Sequence, residues 1–570
     1  MPWDLESYSR EAEEFVSALD REYYLHFAGH KERLELEAIY GEFADLTTLD
    51  QAQSIGAAVN GSAGIRELWR FACEGYLGQL TKELEEQLAQ AEAKLTATLD
   101  EEYYLHFAGH KERLELEAIY AEFADLTTIE RARSIGAAVN GSAGIRELWR
   151  FACEGYLGQL TTELEEKLAQ AEAELKTTVD GEEIPFRMIK PTIMNEADRG
   201  KRERLERLRN ELVDEHLNPL YLESHQRVRD AVQQLGADNY FELYKNFGYD
   251  LEGLGDQCRA FLSSTEQLHT KLVDKLFRDR VGTPLSEAER WDKDRMMRAT
   301  NWDAGFPADR MLPALRATLK GLGVDLDGQE NVHLDVENRP LKDPRAFCVP
   351  IEVPDKVMLV IKPTGGADDW SALFHEAGHA EHFAHTSSSL SVEEKRLGDN
   401  AVTEGWAMLL EHLTDDAGWL SKMLDFPKPR EYAAEGSAIL LYFVRRYCAK
   451  LLYEIEFHQA DDPRDMQSRY VELQADALKI TPAPQDYLWD MDGRYYVHAY
   501  LRAWALESQL STFLQEKFGR DWYTQRAAGS LVRELWSEGQ RMNADELLRE
   551  VTGGSIEMES VAERVRENVA

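Results

Sequence analysis

With 570 residues, 43% hydrophobic and 30% charged, the chain has enough apolar side chains for a sizeable core, which excludes a disordered, fibrous or membrane-spanning class. Its 105 acidic residues against 65 basic ones leave a formal net charge of −40. Phosphate backbones and anionic lipid are repelled on average, so neither a nucleic-acid nor a membrane partner is expected. The most apolar run, "AILLYFV" at 438–444, is stopped by Arg445 and Arg446, well short of the ~18 residues a membrane span needs. The opening "MPWDLESYSREAEEF" lacks the pattern of a secretory signal, and the expected compartment is the cytoplasm. Five scattered cysteines without a CxxC pair argue against a disulfide framework and against a thiolate metal site.

In chain order, the first feature is a tandem duplication. Residues 21–100 and 101–180 differ at only 12 of 80 positions, closer than the units of a solenoid usually are. Each copy is helical by pattern. "KERLELEAIY" carries apolar residues at helical spacing, "AAVNGSAG" is a turn, and "GIRELWRFACEGYLGQL" opens a long amphipathic helix. Each copy also contains HFAGH, pairing His26 with His30 and His106 with His110 on one helical face. The glutamate that would activate a metal-bound water is replaced by phenylalanine and no third ligand is evident, so a structural role is expected.

Beyond residue 185 the chain is again charged and helical, as in "ADRGKRERLERLRNELVDEHL". Near 322–366, Gly, Pro and β-branched residues increase, and "AFCVPIEV" and "KVMLVI" read as short strands of one small sheet. Helices resume from Asp368. The expected architecture is mostly α with one small β-sheet. The expected regions are 1–184, containing the duplication, a helical 185–340, and 341–570.

The chemistry concentrates in "GGADDWSALFHEAGHAEHFAH". Asp368 and Asp369 are N-cap candidates, and Trp370, Leu373, Phe374, Ala377 and Ala380 form the apolar side of a helix. His375 and His379 lie one turn apart, about 6 Å of rise, so both imidazoles point the same way and suit one Zn²⁺. Glu376 lies beside them, placed to take a proton from an activated water. Downstream, "RLGDNAVTEGWAMLLEHL" reads as a second helix capped by Asp399 or Asn400, and Glu404 falls in its first turns, 25 residues after His379. Two antiparallel helices would complete a His₂Glu set with one position open. Glu411, seven residues on and on nearly the same face, is a candidate to orient a ligand histidine.

The HExGHxxH run, the glutamate 25 residues later and another after seven more resemble the thimet oligopeptidase and oligoendopeptidase F family of zinc peptidases. "RAFCVPIEV" and "DGRYYVHAYLRAWALESQLSTFLQEKFG" are similar to that family's sheet edge and closing helices, and the likeness extends more distantly to angiotensin-converting enzyme. The resemblance covers roughly 345–554 and implies a large helical body in two halves around a deep channel, with the small β-sheet next to the active-site helix, 185–340 as part of the channel wall and 341–570 as the catalytic region. It implies one Zn²⁺ held by His375, His379 and Glu404, with Glu376 as general base. It also implies a tyrosine or histidine donor to the reacting oxygen: Tyr495 in the donor position and His498 beside it. Tyr496 and Tyr500 share a neighbouring face, and His382 is a supporting or packing residue rather than a fourth ligand. Asp486 and Met491 depart from the family pattern, where histidine and tyrosine stand.

The function so implied is a zinc metallopeptidase of short peptides. A carboxypeptidase or dipeptidyl carboxypeptidase on the same site is the nearest alternative, with Arg494 or Arg502 to hold the substrate carboxylate. A non-catalytic, zinc-stabilised helical binding protein is the other. Oligomeric state is not specified by these patterns.

Overall fold

A computed structural model describes residues 90–570, apart from short gaps at 92, 124–125, 127, 140–142, 299–300, 340–341, 343–345 and 392, and the isolated positions 10, 11, 14, 18 and 46. His26, His30 and nearly all of the first repeat copy therefore lie outside the described residues. Residues 92–570 form one compact unit.

Residues 93–107, across the junction of the two repeat copies, are helical and are followed in the second copy by α1 (Leu116–Glu122), α2 (Ile129–Ala138) and α3 (Ala143–Glu174). The break between α2 and α3 falls in "AAVNGSAG", where Val139 is extended. His106 and His110 do not share a helical face. The helix stops at residue 107, Gly109 takes a φ of 77°, and His110 turns to Tyr104 Oη at 3.3 Å and to Asp335 at 3.5 Å. His110 is tied to packing rather than to a ligand set.

A second small sheet follows, where only one β element was expected. Strands β1 (Lys176–Val179) and β2 (Glu182–Pro185) pair antiparallel across Asp180 and Gly181, whose φ values are 53° and 83°. Two consecutive left-handed residues match the twist of a tight hairpin, and Asp-Gly supplies them at low cost. The chain then continues through α4 (Arg199–Leu212), α5 (Asn218–Gln234) and the 30-residue α6 (Leu251–Arg280).

The expected small sheet has three strands in the order β3-β5-β4, with β3 (Val332–Asp335) parallel and β4 (Phe347–Glu352) antiparallel to β5 (Lys356–Val360). Central β5 is covered on both faces, which accounts for its unbroken apolar run Val357-Met358-Leu359-Val360. The buried Lys342 ammonium ties the ends of β3 and β5, donating to the Asp335 and Ile361 carbonyls at 2.7 and 2.9 Å.

Helix α7 (Ala367–His385) packs on β4 and β5, and α8 (Asn400–Glu411) packs between α7 and α10 (Tyr496–Phe518); α9 (Pro429–Gln459) lies against α6 and α10. The core around α7 and α8 is aromatic. Trp370, Phe374, Trp406, Trp419 and Trp536 are buried, and Trp419 meets Phe374 edge-on at 5.1 Å. The architecture is mostly α, with no described helix long and apolar enough to cross a membrane.

Candidate metal centre

Helix α7 starts at Gly366, whose φ of 92° replaces the aspartate cap that the sequence offers. Asp369 instead staples the incoming loop, accepting from Thr364 N at 2.7 Å and Gly365 N at 2.9 Å. Helix α8 begins on Asp399, whose carboxylate accepts from Ala401 N at 3.1 Å. Where the two helices cross, Gly378 leaves no room for a side chain: a Cβ there would stand 2.5 Å from Ala407 Cα and 2.6 Å from Trp406 O. That close approach brings Glu404, three residues before Ala407, to the imidazole pair of α7.

His375 Nε2 lies 3.4 Å and His379 Nε2 3.7 Å from the same oxygen, Oε2 of Glu404. The opposite ring nitrogens are engaged. His375 Nδ1 meets Glu411 Oε2 at 2.8 Å, and His379 Nδ1 meets Thr403 Oγ1 at 2.8 Å. Glu411 is itself held by the Ser371 hydroxyl at 2.8 Å. With a carboxylate accepting at Nδ1, His375 keeps a proton there and turns Nε2 toward Glu404. Burial alone would raise the Glu411 carboxyl, but the hydrogen bond and charge of His375 outweigh it and hold the group down to about 2.

Glu404 is buried, its Oε1 accepts from Tyr496 Oη at 2.7 Å, and its Oε2 has no hydrogen-bond partner. Burial opposes its ionisation, yet His379 and His375 outweigh it and keep the carboxyl below its ordinary range. An orphaned, buried, ionised oxygen facing two imidazole nitrogens is the arrangement a divalent cation satisfies. The three ligand atoms lie within 4.8 Å of one another, and this is the one such grouping among the described residues. The donor set, two nitrogens and one oxygen, fits Zn²⁺.

Glu376 extends from α7 toward the sheet edge, where the Cys348 backbone N–H of β4 donates to its Oε2 at 2.9 Å. Burial pushes its carboxyl up to about 7.

The aromatic residues divide differently from the sequence expectation. Arg494 and Tyr495 are left-handed, with φ of 62° and 49°, so α10 begins only at Tyr496 and its phase is set there. Tyr496 reaches Glu404, and Tyr500, one turn on, stacks edge-on against it at 5.0 Å. Tyr495 turns the other way, into a buried cluster with Tyr240 and Tyr244 at 5.7 and 5.3 Å, its hydroxyl 3.5 Å from the Glu454 carbonyl. His498 faces Tyr249 at 4.8 Å and Asp399 rather than the imidazole pair. The expected donor roles of Tyr495 and His498 therefore find no support in the geometry.

His382 is fully buried, with Nε2 3.2 Å from the Gly539 carbonyl, and packs rather than reaching the centre. Arg502 is engaged by Asp399 at 2.6 Å and Asp545 at 2.7 Å, and the Arg494 guanidinium lies 3.8 Å from Glu154.

Three contributors escaped sequence reasoning. Ser371 stands one turn before His375 on the same face, a signal that was present. Thr403 and the Cys348 amide act across a helix crossing and a helix–sheet contact, which no local spacing encodes.

Neither a protein-family model nor a curated protein matches the chain. Its fold is similar to a solved Bacillus anthracis structure assigned provisionally as oligoendopeptidase F, with a TM-score of 0.55 at 17% identity over 97% of this chain and 95% of that one. At this identity the likeness establishes a shared fold.

Proposed function

We propose that the chain is a zinc-dependent peptidase that hydrolyses short peptides. The observation that carries this reading is the convergence of both imidazole Nε2 atoms on one orphaned Glu404 oxygen, with Glu376 alongside. The oligoendopeptidase F description of the structural neighbour favours peptides as the substrate class.

In this reading His375, His379 and Glu404 hold the ion, which when bound supplies Lewis acidity to the scissile carbonyl and its attacking water. Glu376, anchored by the Cys348 amide, takes the water's proton and hands it to the leaving amine. Tyr496 keeps its proton, because burial and then the neighbouring Glu404 raise its phenol well above the ordinary range. In this reading its hydroxyl, which donates to Glu404 Oε1 at 2.7 Å, turns to donate to the reacting oxygen, with Tyr500 packed behind it. Glu411 and Thr403 fix the tautomers and ring planes of the two histidines.

Metal content measured with cleavage of a quenched fluorescent nonapeptide tests the reading. One zinc per chain, loss of turnover on chelation and its return with Zn²⁺ are expected. Glu376→Gln should retain zinc and lose turnover. Equal turnover in Glu376→Gln and the parent would end the enzymatic reading.

A further inference from the structure

A cavity of about 610 Å³ is lined by His498 and Arg502 of α10 and by Asp399 before α8, and none of the candidate ligands lines it. Its wall comes from the first turns of α3, the turn at Phe247–Asp250, the chain before α8, one face of α10 and the start of α11 (Ala544–Thr552). The size is that of a small-molecule pocket.

Most of its polar groups already have partners. Arg150 is held by Glu147 at 2.7 Å and Arg502 by Asp399 and Asp545. Asp250 caps Gly253 N at 2.9 Å, and Glu546 closes a capping box with Asn543. Besides the Tyr249 hydroxyl, three groups are left over. Arg146 has no ion pair or hydrogen bond among the described residues; its guanidinium lies over Gly248, where a Cβ would come within 2.9 Å of Nη1. His498, 6% exposed, makes no hydrogen bond among them and is kept neutral by burial. Gln540, 4% exposed, has an Oε1 without a partner.

These leftovers form a recognisable set: a fixed cation, a neutral imidazole and an unsatisfied amide oxygen beside the rings of Phe247 and Tyr249. A guanidinium without a partner calls for a carboxylate or phosphate. The lining, however, carries four arginines against six carboxylates, which disfavours a multiply charged anion and rewards a ligand that brings an ammonium as well. We propose that this cavity binds zwitterionic short peptides of two or three residues, with the terminal carboxylate on Arg146, an amide N–H on Gln540 Oε1 and the ammonium among the acidic residues. The inference is independent of the chemistry at His375 and Glu404. The ligand would nevertheless bridge the caps and faces of α8 and α10, the helices that carry Glu404 and Tyr496.

Calorimetric titration of the full chain, treated with chelator, tests this with the dipeptide Ala-Phe, its C-terminal amide and inorganic phosphate. Single-site binding of Ala-Phe is expected, weakened about tenfold or more by amidation or by Arg146→Ala, where a charge-assisted hydrogen bond is lost. Arg146→Lys should recover part of the loss, and Glu404→Ala should leave binding intact. Gln540→Leu should weaken binding on its own, and an unchanged melting temperature for each variant separates ligand loss from misfolding. The proposal is overturned if the parent does not bind Ala-Phe, if Arg146→Ala binds it undiminished, if Glu404→Ala abolishes binding, or if phosphate binds as tightly as the dipeptide.

Discussion

Gly378 of α7 touches the backbone of Ala407 in α8, and the three ligand atoms meet only because these helices come that close. A methyl group at 378 meets backbone atoms at 2.5 and 2.6 Å, which cannot rotate away as a flexible side chain would. Gly378→Ala should therefore cost about 1–3 kcal/mol of stability by overpacking. It should also lower zinc affinity, because parting the helices moves Glu404 from both imidazoles. Urea unfolding of the metal-free protein and zinc competition titrations check the two effects separately. A variant with parent-like stability and affinity would show that the crossing is loose.

Glu411 is not one of the three candidate ligands, yet it meets His375 Nδ1 at 2.8 Å and fixes that ring. Glu411→Gln keeps the shape, removes the charge and lets the amide present a donor to the ring. Zinc affinity should fall about 10–100-fold, the usual effect of losing such a support. Ser371→Ala removes only the hydroxyl that steadies Glu411 and should lose less. Dissociation constants measured by chelator competition decide the order, and the reverse ranking would contradict the assigned chain of contacts.

The contrast between what was and was not readable follows from the range of each interaction. The pair His375/His379 is internal to one helix, so spacing alone aligns the imidazoles. The strands at "AFCVPIEV" and "KVMLVI" were readable because β5 needs apolar residues on both faces. The hairpin β1–β2 was missed although Asp180-Gly181 is a strong turn signal, because its strands are only four residues long and the charged context masked their alternation. The helix phase at "RYYVHAY" was misjudged for a deeper reason. It depends on two left-handed residues, Arg494 and Tyr495, which side-chain periodicity does not register. Thr403, beside Glu404, was invisible because its role depends on how α7 crosses α8.

That phase shift gives a test by substitution. Tyr496→Phe removes a hydroxyl 2.7 Å from Glu404, while Tyr495→Phe removes one that lies 3.5 Å from a carbonyl in an aromatic cluster. Tyr496→Phe should lower kcat about 10²–10³-fold, as loss of one donor to a developing oxyanion does, with a smaller change in KM. Tyr495→Phe should leave kcat unchanged. Steady-state kinetics on one fluorogenic peptide suffices, and equal losses in both variants would reject the assignment of Tyr496.

Away from the centre, Glu454 makes a prediction about stability and pH. It is fully buried in α9, with one oxygen accepting from Asp492 N at 2.8 Å and the other without a partner. Burial, only partly offset by Lys450, pushes its carboxyl from 4.5 up to about 8. Between these values the unfolded chain releases the proton while the folded chain keeps it, so the folded state binds more protons and stability falls as pH rises. The contribution is constant below about pH 4 and is fully lost above the folded value. Glu454→Gln keeps the acceptor for Asp492 N and cannot ionise. Parent and variant should have similar unfolding free energies near pH 4.5, and the variant should be the more stable near pH 8.5, by on the order of 4–5 kcal/mol. Urea unfolding at half-unit pH steps reads the difference directly, and parallel curves for the two proteins would mean that Glu454 is ionised in the fold.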